Sequence, residues 1–386
     1  MKVYNQKKLN SLKRLEQALV TFVLLLRYAF LPLHLIIVAI KKGGGFSSPK
    51  FLVVDGFLIG DAVLLRPLIK SVLSGDEQAV YIGGKHSKFI FDDCKIKIIF
   101  QQWPWANYDY SIGSLIKLLS LWSRLLWLTP EFCIEARGDF RSIAFCSLAW
   151  SGKIVSYAFT GGKKLLHLDA SDSDERLKEQ VFHLEEHNRV LALALGLNYD
   201  RKLIIKQRPP VRAERRPVIG LSFSGSRPLK VLPLLFAERL LKLLKMSLRE
   251  DVSLKYLISP NDFFLGQEQD GGVRLLKQYQ VEFFKGNFEE YLDEFSTLAG
   301  YVGVDSAGAH IASMYDLPVL VCFNTMLAEY ARPIHDKVAT LELPYGECKC
   351  RPCEGSLCVG EHTLQCFTGI GADELQRSIS QFVNML

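Results

Sequence analysis

The chain has 386 residues, 49% of them hydrophobic, and 47 lysines and arginines against 41 acidic residues give a net charge of +6. That is enough apolar material for two ordinary domains, each with its own core. The positive excess is modest, spread along the chain and unaccompanied by a stacking motif, which argues against a nucleic-acid partner; low-complexity tracts and repeats of about 20–50 residues do not occur.

The first feature in chain order is the apolar stretch from Ala18 to Ile40, with Lys7, Lys8, Lys13 and Arg14 before it and Lys41 and Lys42 after it. Its length suffices to cross a bilayer. Arg27 near its middle, Pro32 and His34 oppose a simple span, because an arginine at mid-membrane costs at least ~2.5–3.5 kcal/mol. A helix lying in the interface, with Arg27 and the lysines reaching to anionic head groups, avoids that penalty and is the favoured reading. A helix packed on the first domain is the remaining alternative. The stretch lacks a cleavage site and is too long for a signal peptide. The run from Lys41 to Pro49, with three glycines, reads as a flexible linker.

Alternation of short apolar runs with helical spacing follows. Lys50 to Asp55 predicts a buried strand, Gly56 to Gly60 a loop, and Asp61 opens a helix through Val72. Ala79 to Ile82 and Glu131 to Glu135 predict further strands, the latter leading through Ala136-Arg137-Gly138-Asp139 into a helix from about Arg141. This is the grammar of an open parallel sheet, whose ligand crevice lies at the carboxyl ends of the strands. Asp61 and the Arg137–Arg141 group fall at such ends. Around residues 199–217 the chain becomes charged and proline-bearing, as an inter-domain linker does. The same grammar then restarts: strand Val218 to Phe223, loop Ser224 to Leu232, helix Pro233 to Leu248, strand Leu254 to Ile258, helix Phe288 to Leu298. Two similar halves in tandem imply a cleft.

The most informative segment is Gly303-Val304-Asp305-Ser306-Ala307-Gly308-Ala309-His310. A strand, Gly300 to Val304, runs into an acidic, hydroxyl and glycine turn; a helix opens there, from Ala307 to Tyr315, and the strand from Pro318 to Val321 follows. Unpaired N–H groups at the positive end of a helix form an anion site. Ser306 adds a hydroxyl, and His310 lies about one turn further on the same face. A capped helix, with Asp305 or Ser306 as N-cap and a packed histidine, accounts for the same residues.

Of the nine cysteines, Cys94, Cys133, Cys146 and Cys322 sit singly in apolar surroundings, as small buried residues do. Cys348, Cys350, Cys353, Cys358 and Cys366 crowd one segment. A cytosolic setting favours reduced thiols or a metal over disulfides. Short spacings suit a structural zinc at Cys350, Cys353, Cys358 and Cys366, and reduced, partly buried thiols are the alternative. A closing amphipathic helix runs from Ala372 to Leu386.

Four segments, in order and at the expected spacing, resemble glycosyltransferase family 9, the ADP-heptose:lipopolysaccharide heptosyltransferases. Gly60-Asp61-Ala62-Val63-Leu64-Leu65-Arg66-Pro67-Leu68 is similar to the family's G-D-x-[LV]-L-x-x-P-[LA] start. Ala136-Arg137-Gly138-Asp139-Phe140-Arg141-Ser142 resembles its [LA]-Q-G-x-x-[KR]-S segment. Ser224 to Pro233 resembles its G-[AS]-S-x-x-x-K-x-W-P loop, and Gly303 to His310 its G-x-D-[TS]-G-x-x-H motif. Ala307, Leu232 and Arg137 depart from the usual glycine, tryptophan and glutamine. The resemblance spans roughly residues 50–386.

What it implies is an α/β GT-B fold: two Rossmann-like domains with parallel sheets facing a cleft, here with an N-terminal membrane-associating helical segment. The divisions would be 1–45 for that segment and linker, 46–205 for the acceptor domain, 206–371 for the nucleotide-sugar domain and 372–386 for the closing helix. The implied reaction is an inverting transfer of a heptose or related sugar from an ADP- or other nucleotide-sugar, with no cofactor or catalytic metal required. The acceptor would be lipopolysaccharide core or a similar lipid-linked glycan, at the cytoplasmic face of the bacterial inner membrane, with peripheral attachment.

Inversion needs one base, and the family's match for it is Asp61; an N-cap aspartate is the alternative. The diphosphate leaving group needs positive charge and N–H donors, for which Lys230, Ser224, Gly225, Ser226, Asp305, Ser306, Ala307, Gly308 and His310 stand as candidates. Arg137 and Arg141 face the acceptor side, where carboxylates and phosphates are expected, or bridge to Glu135 or Asp139. The ribose carboxylate is expected at Asp262 or Glu268. Two rivals remain: a GT-B transferase acting on another surface glycan with a different donor, and a non-catalytic family member that binds a nucleotide or glycan. An NAD-dependent dehydrogenase is weaker, since no G-x-G-x-x-G follows the first strand.

Overall fold

The structure is a computed structural model that describes residues 6–55, 58–74, 78–101, 103–104, 110–158, 161–173, 183–206, 217–343, 347, 351, 353, 358 and 365–386. It divides into two compact units, Met1–Asp200 and Arg201–Leu386.

Unit 1 is built on strands β1 (Phe51–Val54), β2 (Ala79–Gly83), β3 (Lys97–Phe100), β4 (Phe132–Glu135), β5 (Lys153–Ser156) and β6 (Leu168–Asp169). They form one parallel sheet in the order β3-β2-β1-β4-β5-β6. The central β1 reads FLVV and is buried throughout, as a parallel strand covered on both faces must be. Its longer helices are α1 (Gln6–Ala29), α2 (Leu31–Gly43), α3 (Ile59–Leu64), α4 (Arg66–Leu73), α5 (Ile112–Leu128), α6 (Phe140–Leu148) and α7 (Leu184–Ala194). Val20 and Val23 of α1, Leu121 and Leu125 of α5 and Ile143 and Cys146 of α6 join Leu52, Val54, Val80 and Ile82 in one core.

Unit 2 repeats the plan with β7 (Val218–Ser222), β8 (Ser253–Leu257), β9 (Glu282–Phe284), β10 (Gly300–Val304), β11 (Val319–Cys322) and β12 (Val338–Leu341). Their order is β12-β11-β10-β7-β8-β9, again parallel. The longer helices are α8 (Leu234–Ser247), α9 (Gly271–Gln278), α10 (Phe288–Thr297), α11 (Ala307–Met314) and α12 (Ala372–Val383). Phe236, Leu240 and Leu244 of α8 and Leu375, Ile379 and Phe382 of α12 pack with Ile219, Leu221 and Val302 of the sheet.

In each sheet the chain works outward in one direction and then in the other. The reversal lies between β1 and β4 in unit 1 and between β7 and β10 in unit 2. Diverging loops at such a point open a crevice at the carboxyl ends of the two strands.

Several elements differ from the sequence reading. The helix expected from Asp61 begins at Ile59 and breaks into α3 and α4 at Leu65, just before Arg66-Pro67, because proline removes an N–H and clashes with the preceding turn. Asp61 is therefore the third helical residue and not the N-cap. Helical structure continues through Lys41 and Lys42, which the sequence reading placed in a flexible linker. Lys41 is buried, and its ammonium donates to Ser48 Oγ (2.8 Å), Leu128 O (3.0 Å) and Thr129 Oγ1 (3.0 Å). The N-terminal apolar stretch is two helices bent by 49°, and among the described residues no single helix is long and apolar enough to cross a membrane. Residues 207–216 of the expected linker lie outside the described residues.

Candidate active site

At the reversal point of unit 1 four carboxylates and two guanidinium groups converge. Asp55, the residue after β1, is 2% exposed; its carboxylate accepts from Tyr81 Oη at 2.9 Å and its carbonyl from Trp103 Nε1 at 3.4 Å. Asp61 accepts the Leu58 N–H at 3.3 Å, which fastens the start of α3. Its Oδ2 also pairs with Arg137 Nη2, while Arg137 Nε lies 3.8 Å from Asp55 Oδ1. Arg137 thus spans the crevice from the β4 side and clamps both aspartates that follow β1. This differs from the expected bridges to Glu135 or Asp139. Arg141, about half exposed, does bridge to Asp139, donating from Nε at 3.0 Å and Nη2 at 2.6 Å. Asp139 in turn caps α6 by accepting the Arg141 N–H at 2.8 Å.

Glu135 closes β4 and is fully buried. Its Oε2 accepts from Ser156 Oγ (2.6 Å), the Gly138 N–H (2.7 Å) and the Arg137 N–H (3.3 Å). It therefore shapes the turn that aims Arg137; Gly138 sits there at φ +68, a left-handed conformation that glycine adopts freely. Burial pushes the Glu135 carboxyl up to about 8, against the three donors, which favour its ionised form. Below that pH it carries a proton, and Oε1 is the oxygen with no other hydrogen-bond partner among the described residues.

A raised carboxyl has a definite consequence for stability. Between roughly pH 4.5 and 8 the folded chain holds a proton that the unfolded chain releases, so this contribution is full at the acid end and fades as pH rises. We expect Glu135→Gln to flatten the fall in melting temperature across that window and to exceed the wild type at pH 8.5. Parallel pH curves for the two proteins would remove the buried-acid assignment.

The reversal point of unit 2 holds a second charged centre. The loop after β7 folds back as a hairpin: the Gly225 N–H donates to Lys230 O at 2.6 Å, and Ser224 bridges Val231. A Cβ at Gly225 would stand 2.6 Å from Lys230 Cβ, so only glycine fits beneath the lysine. The hairpin delivers Lys230 to Asp305, the residue after β10: Nζ lies 2.5 Å from Asp305 Oδ2 and 3.1 Å from its carbonyl oxygen. Both side chains are largely buried, 14% and 6% exposed. Ser306 is the N-cap of α11 but makes no side-chain cap hydrogen bond. Ser306 and Ala307 are half-buried at the helix start, and His310 is buried one turn on. The position where this backbone requires glycine is 308, since a Cβ there would meet Tyr301 Oη at 2.3 Å; Ala307 takes the family's usual glycine position without that constraint.

One expected donor is revised by this geometry. The Gly225 amide closes the hairpin and is not available to a phosphate. Ser224 is buried, and its hydroxyl oxygen accepts the Phe263 N–H at 3.0 Å, while Ser226 is exposed. Of the two ribose candidates, Asp262 organises the loop after β8: it accepts from Tyr256 Oη, Ser259 and the N–H groups of Phe264 and Leu265. Glu268 is exposed. Leu232, where the family has tryptophan, is a core residue of unit 2.

Cys348 and Cys350 lie outside the described residues, and the described ones contain no group of three or more metal-ligating side chains. Cys353 and Cys358 are half-buried, and Cys366 lies in the core. Asp55 was not singled out in the sequence, and Glu135 only as a bridging partner for the arginines. Their signal was available: Glu135 ends a mostly apolar strand and Asp55 directly follows one.

Two parallel sheets of this strand order, each with its charged centre at the reversal point, define the GT-B fold. Among solved structures, the chain is similar to E. coli heptosyltransferase WaaC with ADP (14% identity, 76% of this chain and 93% of that one, TM-score 0.61). It is likewise similar to E. coli ADP-heptose lps heptosyltransferase II (14% identity, 87% and 98%, TM-score 0.59). A third is the glycosyl transferase family 9 protein from Veillonella parvula DSM 2008 (12% identity, 88% and 98%, TM-score 0.63). The fold expected from the four motifs is the fold observed. No protein-family model and no curated protein matches the sequence.

Proposed function

We propose that the protein is an inverting glycosyltransferase that moves a heptose or related sugar from an ADP-sugar to lipopolysaccharide core or a similar lipid-linked acceptor, working peripherally at the cytoplasmic face of the inner membrane. The observation that carries this reading is the pair of charged centres at the two reversal points. One offers a carboxylate able to take a proton; the other joins a cation to a helix N-terminus suited to a diphosphate.

In this reading the acceptor hydroxyl attacks the anomeric carbon and loses its proton to Asp61. The bond from that carbon to the diphosphate breaks, and the leaving oxygens meet Lys230 and the N–H groups of α11 around Ser306 to Gly308. Arg137 and Asp305 hold the two working groups in ion pairs at rest. An anionic acceptor group would compete for Arg137 and free Asp61, and a diphosphate would compete for Lys230. The heptosyltransferase similarity supports an ADP-sugar donor. The rival of a glycan- or nucleotide-binding protein without turnover draws on those same resting pairs.

The test is thermal denaturation with nucleotides at millimolar concentration. ADP should raise the melting temperature more than NAD does, since a ligand at about 100 times its Kd adds ~2.7 kcal/mol. If no nucleoside diphosphate shifts the transition, the donor site is wrongly assigned.

A further inference from the structure

Unit 1 carries an unassigned site at the opposite end of its sheet from Asp61. A cavity of about 460 Å3 opens between α2 and the amino ends of β4 and β5. Arg27 of α1, Lys41 and Lys42 of α2 and Lys153 of β5 face it, with Glu131 the single carboxylate in its wall. Among the described residues none of these four cations forms an ion pair, and Lys41 spends its hydrogens on two hydroxyls and a carbonyl. His34 and His167 line the same space. His167 accepts the Ile154 N–H on Nδ1 at 3.0 Å, which leaves its Nε2 as the donor in the neutral ring. Burial and the Arg27 charge hold His34 below its ordinary range.

The floor is the Trp150 indole. The Arg27 guanidinium lies 4.2 Å from its ring centre, and the His34 ring stacks on it at 4.8 Å. Arg27 Nε, His34 Nδ1 and Trp150 Nε1 are buried without a hydrogen-bond partner among the described residues. Such groups are normally satisfied, and here three cluster beside an excess of positive charge.

The mouth is apolar. Phe46 lines it and packs edge-on to Trp127 of α5 at 5.9 Å. Leu33, Ile36 and Ile40 of α2 and Ile112, Ile116 and Leu119 of α5 are exposed large apolar side chains, of the kind that an acyl chain would cover.

We propose that this cavity binds the phosphate ester of an anionic lipid head group, with the acyl chains lying along α2 and α5. Arg27, Lys42, Lys153 and the unmet donors take the phosphate oxygens, and the apolar helices take the tail. The site lies at the sheet end remote from Asp61, so it stands or falls separately from the transfer reading.

The experiment is calorimetric titration of the full chain with dihexanoyl-phosphatidylglycerol below its micellar concentration, beside dihexanoyl-phosphatidylcholine and glycerol phosphate. The anionic lipid should bind near one per chain and tighter than either control. Arg27→Gln/Lys153→Gln should weaken it by about tenfold or more, whereas Lys117→Gln/Arg124→Gln, which removes equal charge from α5 outside the cavity, should not. Should the Arg27 variant fail to fold, Lys42→Gln/Lys153→Gln makes the same test with two exposed side chains. Equal binding by the cavity variant or by the phosphatidylcholine overturns the site; equally tight glycerol phosphate overturns the lipid as its source.

Discussion

Asp61→Asn is expected to lower the transfer rate by about 10²–10⁴-fold, the usual contribution of a positioned general base, while ADP affinity stays as in the wild type. The substitution is chosen for what it preserves. An asparagine amide oxygen can still accept the Leu58 N–H that fastens the start of α3. Arg137 keeps Asp55 within 3.8 Å, so its charge is not abandoned in the crevice. Loss of turnover with intact folding and intact nucleotide binding therefore isolates the proton-accepting step. An asparagine variant that transfers sugar at the wild-type rate would remove Asp61 from the chemistry, and a wild type without turnover on any nucleotide-sugar would leave the binding-protein rival standing.

The second large effect concerns Lys230. Lys230→Met leaves Asp305 buried without its counter-ion, and breaking a buried pair costs about 3–5 kcal/mol. For a unit of this size that corresponds to a fall of roughly 6 °C or more in melting temperature. ADP affinity should fall as well, by about 10–100-fold, if the ammonium meets the diphosphate. The two losses are separable. In Lys230→Met/Asp305→Asn the orphaned charge is gone, so the melting temperature should recover while ADP affinity stays low. Recovery of both would make Lys230 a purely structural partner of Asp305, and differential scanning fluorimetry with ADP titration reads both quantities on one sample.

The central strands were legible because they are unbroken apolar runs that end in an acid or lead straight into one: Phe51–Val54, Phe132–Glu135 and Gly300–Val304. The outer strands were not. Lys97–Phe100, with its ends exposed, and Leu168–Asp169, only two residues long, carry too little apolar signal to stand out. Val338–Leu341 alternates between half-buried and buried positions, and four residues are too few for that period to be read alone. Helix α5 was missed although its residues are largely apolar, because the stretch lacks the polar face that makes helical spacing visible. At the site, the motifs located Asp61, Lys230 and Asp305. Their partners came only from the fold, since sequence spacing cannot show that Arg137 reaches Asp61 across two strands or that a hairpin brings Lys230 to Asp305.

Val20 and Val23 give α1 a part in the first core. They are packed among Leu52, Val54 and Val80, while Phe22, Leu25 and Tyr28 on the same helix face outward. A segment used in both directions cannot be trimmed as a detachable tether: shortening the chain to begin after Gly43 would strip one wall from the first sheet. Contact with a lipid surface would then bear directly on the packing behind β1, the strand that leads into Asp55 and Asp61.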